Sequence, residues 1–243
     1  MRTGRDLIAD PGANRSVAHA AMLLAALALA GNAVDASASA TAVDEQTRAA
    51  FALNPHPRDG AIVFRRSCAT CHGKAAHGDP AKAIPSLAGQ RFAYLVRQLA
   101  GLSGDQRESA TMHAVLAERG LHEPQAWVDI ASFLSSAPPP QRARAGDGTA
   151  LKLGEAIFRE QCASCHRDDA RGDDDGFVPS LRGQHYGYLL VQIQLLGARR
   201  RHNVDERLVQ FLRSLAVDET EAVADYLSRL TVLPDGRRPR GSP

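Results

Sequence analysis

The sequence is poor in aromatic side chains: Phe, Trp and Tyr make up 5% of its 243 residues. A core built from it therefore needs aliphatic residues, or a large apolar group that the sequence does not encode. An excess of one charge is also missing, because 29 Lys and Arg stand against 27 Asp and Glu. Such a balance is not typical of proteins that hold nucleic acids by bulk charge. No apolar run reaches the roughly 20 residues of a membrane span.

Cysteine is scarce, yet all four cysteines follow one pattern. Each pair is spaced Cys-x-x-Cys and followed at once by a histidine: Cys68, Cys71 and His72, then Cys162, Cys165 and His166. This is the pattern of c-type haem attachment. Two thiols three positions apart on one helical turn can each add to a vinyl group of one porphyrin, while the histidine faces the iron. The sequence therefore predicts two covalently bound haem c groups.

Other uses of the cysteines explain the pattern less well. A zinc site needs four ligands in one cluster, whereas each pair here has its own histidine. A redox dithiol is expected in a thioredoxin-like alternation of strands and helices, which the sequence lacks. Two disulfides would leave the histidines unexplained. Haem attachment is therefore favoured over zinc or thiol chemistry.

The second half of the chain repeats the first at an offset of 94 residues. Beyond the cysteine motifs, the matched pairs include Gly60 with Gly154, Phe64 with Phe158, Pro85 with Pro179, Tyr94 with Tyr188, and Gln98 with Gln192. A duplication of this kind predicts one small domain in each half. We place the domains at residues 41–134 and 150–232, joined by a Pro-rich linker at 135–149 and followed by a flexible tail at 233–243.

The apolar residues recur at helical spacing, which predicts an all-α fold. The predicted helices of the first half cover residues 61–71, 91–102 and 124–134. Those of the second half cover residues 151–165, 185–196, 208–215 and 219–230. No stretch alternates apolar and polar residues as a half-buried strand would.

The N-terminal 40 residues are typical of an export signal. Arg2, Arg5 and Arg15 form a basic region, residues 17–30 are apolar, and residues 36–40 alternate Ala and Ser. We expect cleavage near Ala40 and a mature protein in the periplasm. An uncleaved single-helix anchor is the alternative.

The repeated motifs resemble those of dihaem class I c-type cytochromes of the cytochrome c4 type. The resemblance rests on both haem motifs, Pro85 and Pro179, the Leu-x-Gly-Gln segments at 87–90 and 181–184, and the helices of Tyr94 and Tyr188. It covers nearly all of residues 55–232. It implies two tandem cytochrome c domains in which His72 and His166 are the proximal iron ligands. It also implies that the proline carbonyl accepts the other ring proton of each histidine.

Methionine is scarce, and the two halves differ in whether they contain one. The three methionines are Met1, Met22 and Met112, so the predicted second domain has none. Axial methionine is the usual sixth ligand of an electron-transfer haem, and Met112 is the predicted ligand of the first iron. In the second half, the strict repeat offset makes Asp205 or Glu206 equivalent to Met112. A looser alignment of the two halves makes Leu208 equivalent to Met112. Either His202 binds the second iron or its distal face is open; His185 is a weaker candidate.

The function that we predict is one-electron transfer between respiratory partners. The resemblance implies a membrane quinol-oxidising complex or a dehydrogenase as donor and a terminal oxidase as acceptor. We expect no nucleic-acid partner, given the charge balance, and membrane association only through partners. The alternative is a dihaem enzyme or gas-binding protein whose second haem is five-coordinate, with Arg199–His202 as candidate distal groups. A third interpretation is a haem subunit docked to a dehydrogenase.

The acidic run Asp173–Asp175 is a docking patch, a calcium loop or a solvated turn.

Overall fold

The computed structural model describes residues 44–104, 106–202 and 204–230. The predicted signal peptide at 1–40 and the tail at 233–243 lie outside the described residues. The first half contains helical residues 44–51 (α1), Pro57–Ser67 (α2), Ala69–His72 (α3), Phe92–Ser103 (α4), Ala110–Glu118 (α5) and Pro124–Ser136 (α6). The second half contains Leu151–Ile157 (α7), Ala163–His166 (α8), Tyr186–Gly197 (α9), Glu206–Ser214 (α10) and Val217–Ser228 (α11).

The described residues confirm the all-α prediction. Their β pairing is limited to isolated bridges. A π-helical segment, Phe158–Cys162, joins α7 to α8. In the part of the chain that the structure describes, no helix has the length and apolarity to cross a membrane.

Most helices fall within a few residues of their predicted positions, and the differences have local causes. α2 begins earlier than expected, because Pro57 sits at its first position, where its fixed φ suits a helix and its missing N–H costs nothing. α1 and α5 were not predicted. The apolar residues of α5 do not gather on one face, and the helix buries only Leu116. Such a helix has no clear apolar stripe for a periodicity analysis to detect.

Each half packs around a crossing of two helices at a glycine. α2 packs on α6 in the first half, and α7 packs on α11 in the second. A Cβ placed on Gly60 would lie 1.9 Å from the carbonyl oxygen of Asp129, and one on Gly154 would lie 2.1 Å from that of Ala222. The two glycines are equivalent in the repeat. The close approach of the backbones explains why glycine occupies both positions.

The two hydrophobic cores differ in size and in how completely their side chains are buried. The first is centred on the buried side chains of Phe64, Val96, Trp127 and Leu134. The second is smaller, around Phe158, Leu189, Val223 and Leu227, and several apolar side chains beside it are only half-buried. Those half-buried side chains include Tyr186, Leu190, Ile193 and Phe211.

The segment predicted as a linker is tied to both halves. The imidazole of His77 lies 3.1 Å from the carbonyl oxygen of Pro138 in the first half. In the second half, the carboxylate of Asp225 accepts hydrogen bonds from the N–H groups of Gly146 at 2.9 Å and Gly148 at 2.7 Å. The linker is therefore held by hydrogen bonds along its length, in addition to the stiffness of its prolines.

Candidate haem sites and the contacts between them

The first candidate site is built on α3. Cys68 precedes this helix, and Cys71 and His72 are on it. His72 is 5% exposed, and its Nδ1 donates a hydrogen bond to the carbonyl oxygen of Pro85 at 3.2 Å. The Nε2 atom is then the nitrogen left for a metal, because a bond at one ring nitrogen selects the tautomer.

The second site repeats this geometry on α8. Cys165 and His166 lie on the helix, Cys162 precedes it, and Nδ1 of His166 donates to the carbonyl oxygen of Pro179 at 3.1 Å. Turns of the same shape hold both loops: the N–H of Gly78 donates to His72 O at 2.9 Å, and that of Gly172 to His166 O at 3.0 Å. The proline contact implied by the resemblance is thus present in both halves.

Burial controls the ionisation of these groups. It lowers the pKa of both His72 and His166, and the hydrogen bonds to the proline carbonyls offset only part of this effect. Both imidazoles are therefore neutral near pH 7, as a metal ligand must be. Burial also raises the pKa of Cys68 and of Cys162 to about 11, with a further contribution from the second cysteine of each pair. All four cysteines are free thiols, available for thioether bonds.

The residues present fit a haem c in each half. Each site offers two thiols, one neutral imidazole nitrogen and nearby apolar surface that a porphyrin would cover. The buried Nε of Arg201 has no hydrogen-bond partner within the described part of the chain. A haem propionate is an acceptor that would satisfy such a donor. When bound, each haem supplies a one-electron couple, while the chain orients the histidine and sets the polarity around the iron.

Met112 lies on α5, half-buried, against the first core. α5 and α10 are equivalent helices of nine residues, and Met112 is the third residue of α5. The third residue of α10 is Leu208, also half-buried. The structure thus supports the looser alignment, in which leucine stands where the first half has its methionine.

The two histidines considered for the second iron are both described. His202 is exposed, and its backbone N–H donates to the carbonyl oxygen of Gln106 at 2.8 Å, across the boundary between the halves. His185 is buried, and both of its ring nitrogens are used. Its Nδ1 accepts from the N–H of Arg144 at 3.2 Å, and its Nε2 donates to His77 O at 2.7 Å. His185 is therefore a packing residue that joins three segments.

The basic run Arg199–Arg201, a candidate source of distal polar groups, has other partners. Arg199 pairs with Glu206, and Arg200 pairs with Glu108 of the first half at 2.5 Å. Arg201 is buried between the halves. In the acidic run, Asp174 accepts from the N–H of Ala93 at 3.0 Å and so caps α4 of the first half. Arg200, Arg201 and Asp174 therefore make contacts between the halves, whereas Arg199 pairs within the second half.

Two reciprocal clamps connect the proximal sites. Gln184 binds the backbone of Ser86 at both ends: its Oε1 accepts from Ser86 N at 3.0 Å, and its Nε2 donates to Ser86 O at 2.9 Å. Gln90 binds Ser180 in the same way, at 2.7 Å and 2.9 Å. Each serine directly follows the proline whose carbonyl holds a proximal histidine. Each glutamine thus steadies the histidine support of the other half.

A second reciprocal cluster joins α4 and α9. Arg107 donates to Tyr188 Oη at 2.8 Å, Gln98 Oε1 at 3.0 Å and Gln192 Oε1 at 3.3 Å. Arg201 donates to the same two glutamines and to Tyr94 Oη at 3.2 Å. The Tyr and Gln pairs are recognisable in the sequence as repeats, but their role as acceptors for two arginines was not predicted. The signal was available, because Arg107 and Arg201 are also 94 residues apart.

Comparisons with known proteins agree with this geometry. The family model described as "Cytochrome c" matches residues 151–231, and that described as "Cytochrome C oxidase, cbb3-type, subunit III" matches residues 55–153. A thiosulfate dehydrogenase electron acceptor from Thiomonas intermedia is 30% identical over 69% of this chain and 80% of the relative. The protein of the same name from Stutzerimonas stutzeri is 29% identical over 80% of this chain and 93% of the relative.

The fold is also similar to that of a solved structure, cytochrome c4 from Pseudomonas stutzeri. It superposes with a TM-score of 0.65 at 25% identity, over 73% of this chain and all of that one (100%). Cytochrome c4 from Pseudomonas aeruginosa is 28% identical over 67% of this chain and 83% of the relative. The chain therefore belongs to the dihaem class I c-type cytochromes of the cytochrome c4 type, binds two covalent haem c groups and transfers single electrons.

Proposed function

We propose that this cytochrome works in the periplasm, where it takes electrons from a dehydrogenase and delivers them to a terminal oxidase. The predicted signal peptide with cleavage near Ala40 supports the location. Two relatives named as electron acceptors of thiosulfate dehydrogenase support a dehydrogenase as donor. The match of residues 55–153 to a cbb3-type oxidase subunit supports an oxidase as acceptor. A membrane quinol-oxidising complex is the second donor to test.

The structural observation that carries this proposal is the pair of reciprocal clamps, because they support electron transfer between the two haem sites. Gln184 and Gln90 each hold the loop that supports the opposite proximal histidine, with four hydrogen bonds between 2.7 and 3.0 Å. Because an outer hydrogen bond fixes the orientation of a ligating histidine, both sites keep a fixed geometry relative to each other. Two redox sites in one rigid unit suit a protein that passes electrons internally.

The difference between Met112 and Leu208 gives the transfer a direction. A histidine–methionine pair raises the potential of a haem relative to one without methionine. The first site is therefore the more oxidising of the two, and electrons collect there. We infer that the donor docks at the second half, around Cys165, and that the oxidase docks at the first half, around Cys71. Both cysteines are exposed.

The test is a stopped-flow measurement on the haem-loaded protein. The oxidised protein is mixed with thiosulfate dehydrogenase and thiosulfate, or with a quinol-oxidising complex and quinol, and haem reduction is followed by absorbance. We expect fast reduction by the dehydrogenase and fast re-oxidation by a cbb3-type oxidase. An unrelated monohaem cytochrome c of similar charge is the control. Exchange no faster than that control would contradict the proposed partners.

A pair of single-haem variants tests the direction. The double variant Cys162→Ser with Cys165→Ser should lose fast reduction by the donor but keep re-oxidation by the oxidase. The matched variant Cys68→Ser with Cys71→Ser should show the opposite pattern. Equal effects of both variants on both reactions would refute the assigned direction.

A further inference from the structure

We propose that the iron of the second haem has no protein ligand on its distal side and binds a neutral diatomic ligand, such as carbon monoxide or nitric oxide. This goes beyond electron transfer. It rests on haem attachment at Cys162 and Cys165, and it is independent of which proteins donate and accept electrons.

Leucine stands in the second half at the position where a methionine ligand is expected. Leu208 is the third residue of α10 and Met112 the third of α5, so the equivalent helices present a leucine and a methionine. A leucine side chain carries no lone pair and cannot bind iron. Since the methionines of the whole chain are Met1, Met22 and Met112, no other methionine can replace it within the second half.

The nitrogen ligands that this half offers in place of methionine sulfur are its histidines and its lysine. Its histidines are His166, His185 and His202. His166 is the proximal ligand, and both ring nitrogens of His185 are bound to backbone atoms. His202 is exposed, and its backbone is fixed to Gln106. The lysine of this half, Lys152, is exposed on α7, the helix that leads into the cysteine motif.

The side chains around Leu208 determine which chemical class of ligand the second haem would bind. The polarity of the distal pocket decides whether a haem binds a gas or cleaves a bound oxidant. Next to Leu208, the residues of α10 that turn inward are apolar: Val209, Phe211 and Leu212. The polar residues of the same helix are exposed, and Arg199 and Arg200 pair with glutamates. The two terminal nitrogens of Arg201 are bound in the cluster around Gln98 and Gln192. The apolar inner face of α10 favours a neutral ligand over an anion or a peroxide.

The experiment uses the purified protein with two haems per chain, reduced under argon and titrated with carbon monoxide. We expect one molecule of carbon monoxide per two haems. We also expect a high-spin electron paramagnetic resonance signal from half of the iron in the oxidised protein. Two low-spin haems and no carbon monoxide binding would overturn the proposal.

Matched variants assign the site. Leu208→Met should abolish carbon monoxide binding by supplying the missing ligand, and Met112→Leu should double it by opening the first haem. His202→Ala should leave binding unchanged. If carbon monoxide binds only after His202 is replaced, His202 is the ligand and the proposal is wrong. If Leu208→Met leaves binding intact while Met112→Leu doubles it, the position assigned to Leu208 is wrong.

Two further readouts define the ligand class. Haem content, measured by the pyridine haemochrome, should stay at two per chain in every variant. We expect azide to bind at least tenfold more weakly than nitric oxide, and hydrogen peroxide to be consumed no faster than by the Leu208→Met variant. Rapid peroxide turnover that is lost in Leu208→Met would overturn the neutral-ligand assignment.

Discussion

Arg107 and Arg201 face each other in an isolated antiparallel β-bridge at the boundary between the two halves. Two like charges are close there because Tyr94, Tyr188, Gln98 and Gln192 surround them with acceptors. Burial raises the pKa of Tyr94, but the charges of Arg201 and Arg107 outweigh it and the pKa lies below its usual range. Burial likewise opposes the charge of Arg107, and the tyrosines more than compensate, so its pKa is raised. The cluster therefore favours the charged form of Arg107.

Loss of one arginine should loosen the boundary. Arg201→Ala leaves the hydroxyl of Tyr94 without its arginine donor and takes one of two arginine donors from Gln98. We expect a loss of about 2–4 kcal/mol in the free energy of unfolding. Chemical denaturation of the haem-loaded protein measures it. Arg199→Ala is the matched control, since Arg199 lies in the same run but is exposed and should cost less than about 1 kcal/mol. Equal effects of the two variants would contradict the role given to the buried cluster.

A change in one half should alter the haem of the other. Gln184→Ala removes both hydrogen bonds to Ser86, which follows the proline that supports His72. A weaker bond from His72 to Pro85 makes the imidazole a poorer donor to iron, so the potential of the first haem should rise. Redox titration followed by visible spectroscopy measures both haems.

The reciprocal variant tests whether each glutamine acts on the haem of the opposite half. Gln90→Ala should shift the second haem and leave the first in place. Gln194→Ala, on the exposed face of α9, should shift neither. A shift confined to the haem of the mutated half would show that the clamps do not act across the boundary.

The glycine at a helix crossing should not tolerate a side chain. Gly154→Ala places a Cβ 2.1 Å from the backbone of α11, so α7 must move, and we expect a loss of about 2–3 kcal/mol. Gly187→Ala on α9 is the control, because its Cβ would meet nothing closer than 3.9 Å. Its effect should stay within about 1 kcal/mol. Thermal unfolding compares the two, and a destabilised Gly187→Ala with an unaffected Gly154→Ala would contradict the packing.

The start of α10 should respond to acid. Hydrogen bonds from the Arg207 side chain and backbone N–H lower the pKa of Asp205 to about 2. Because this value is below that of the unfolded chain, the ionised carboxylate stabilises the fold above about pH 4, and the contribution is lost as the pH falls towards 2. Asp205→Asn keeps an oxygen at the cap and removes the charge. Its thermal midpoint should lie below that of the wild type at pH 7, and the gap should shrink between pH 4 and pH 3. A gap that is constant from pH 7 to pH 3 would show that the charge has no role.

The covalent chemistry and the repeat were readable from the sequence. Each haem motif occupies five consecutive residues, and its spacing alone places two thiols and an imidazole on one side of a helical turn. The duplication, Met112 and the missing second methionine need only the order of residues. Helix positions followed from periodicity, except at α1, which was not predicted, and at α5, where no apolar stripe exists.

The connection between the halves was decided by tertiary structure. Gln184 and Ser86 are 98 residues apart, and their contact depends on how two folded domains dock. The same holds for Asp174, which the sequence could place only in a docking patch, a calcium loop or a solvated turn, and which caps α4 of the other half. Local patterns determine which residues can bind a haem. Long-range packing determines which residues hold the two haem sites together, because those contacts form only after each half has its shape.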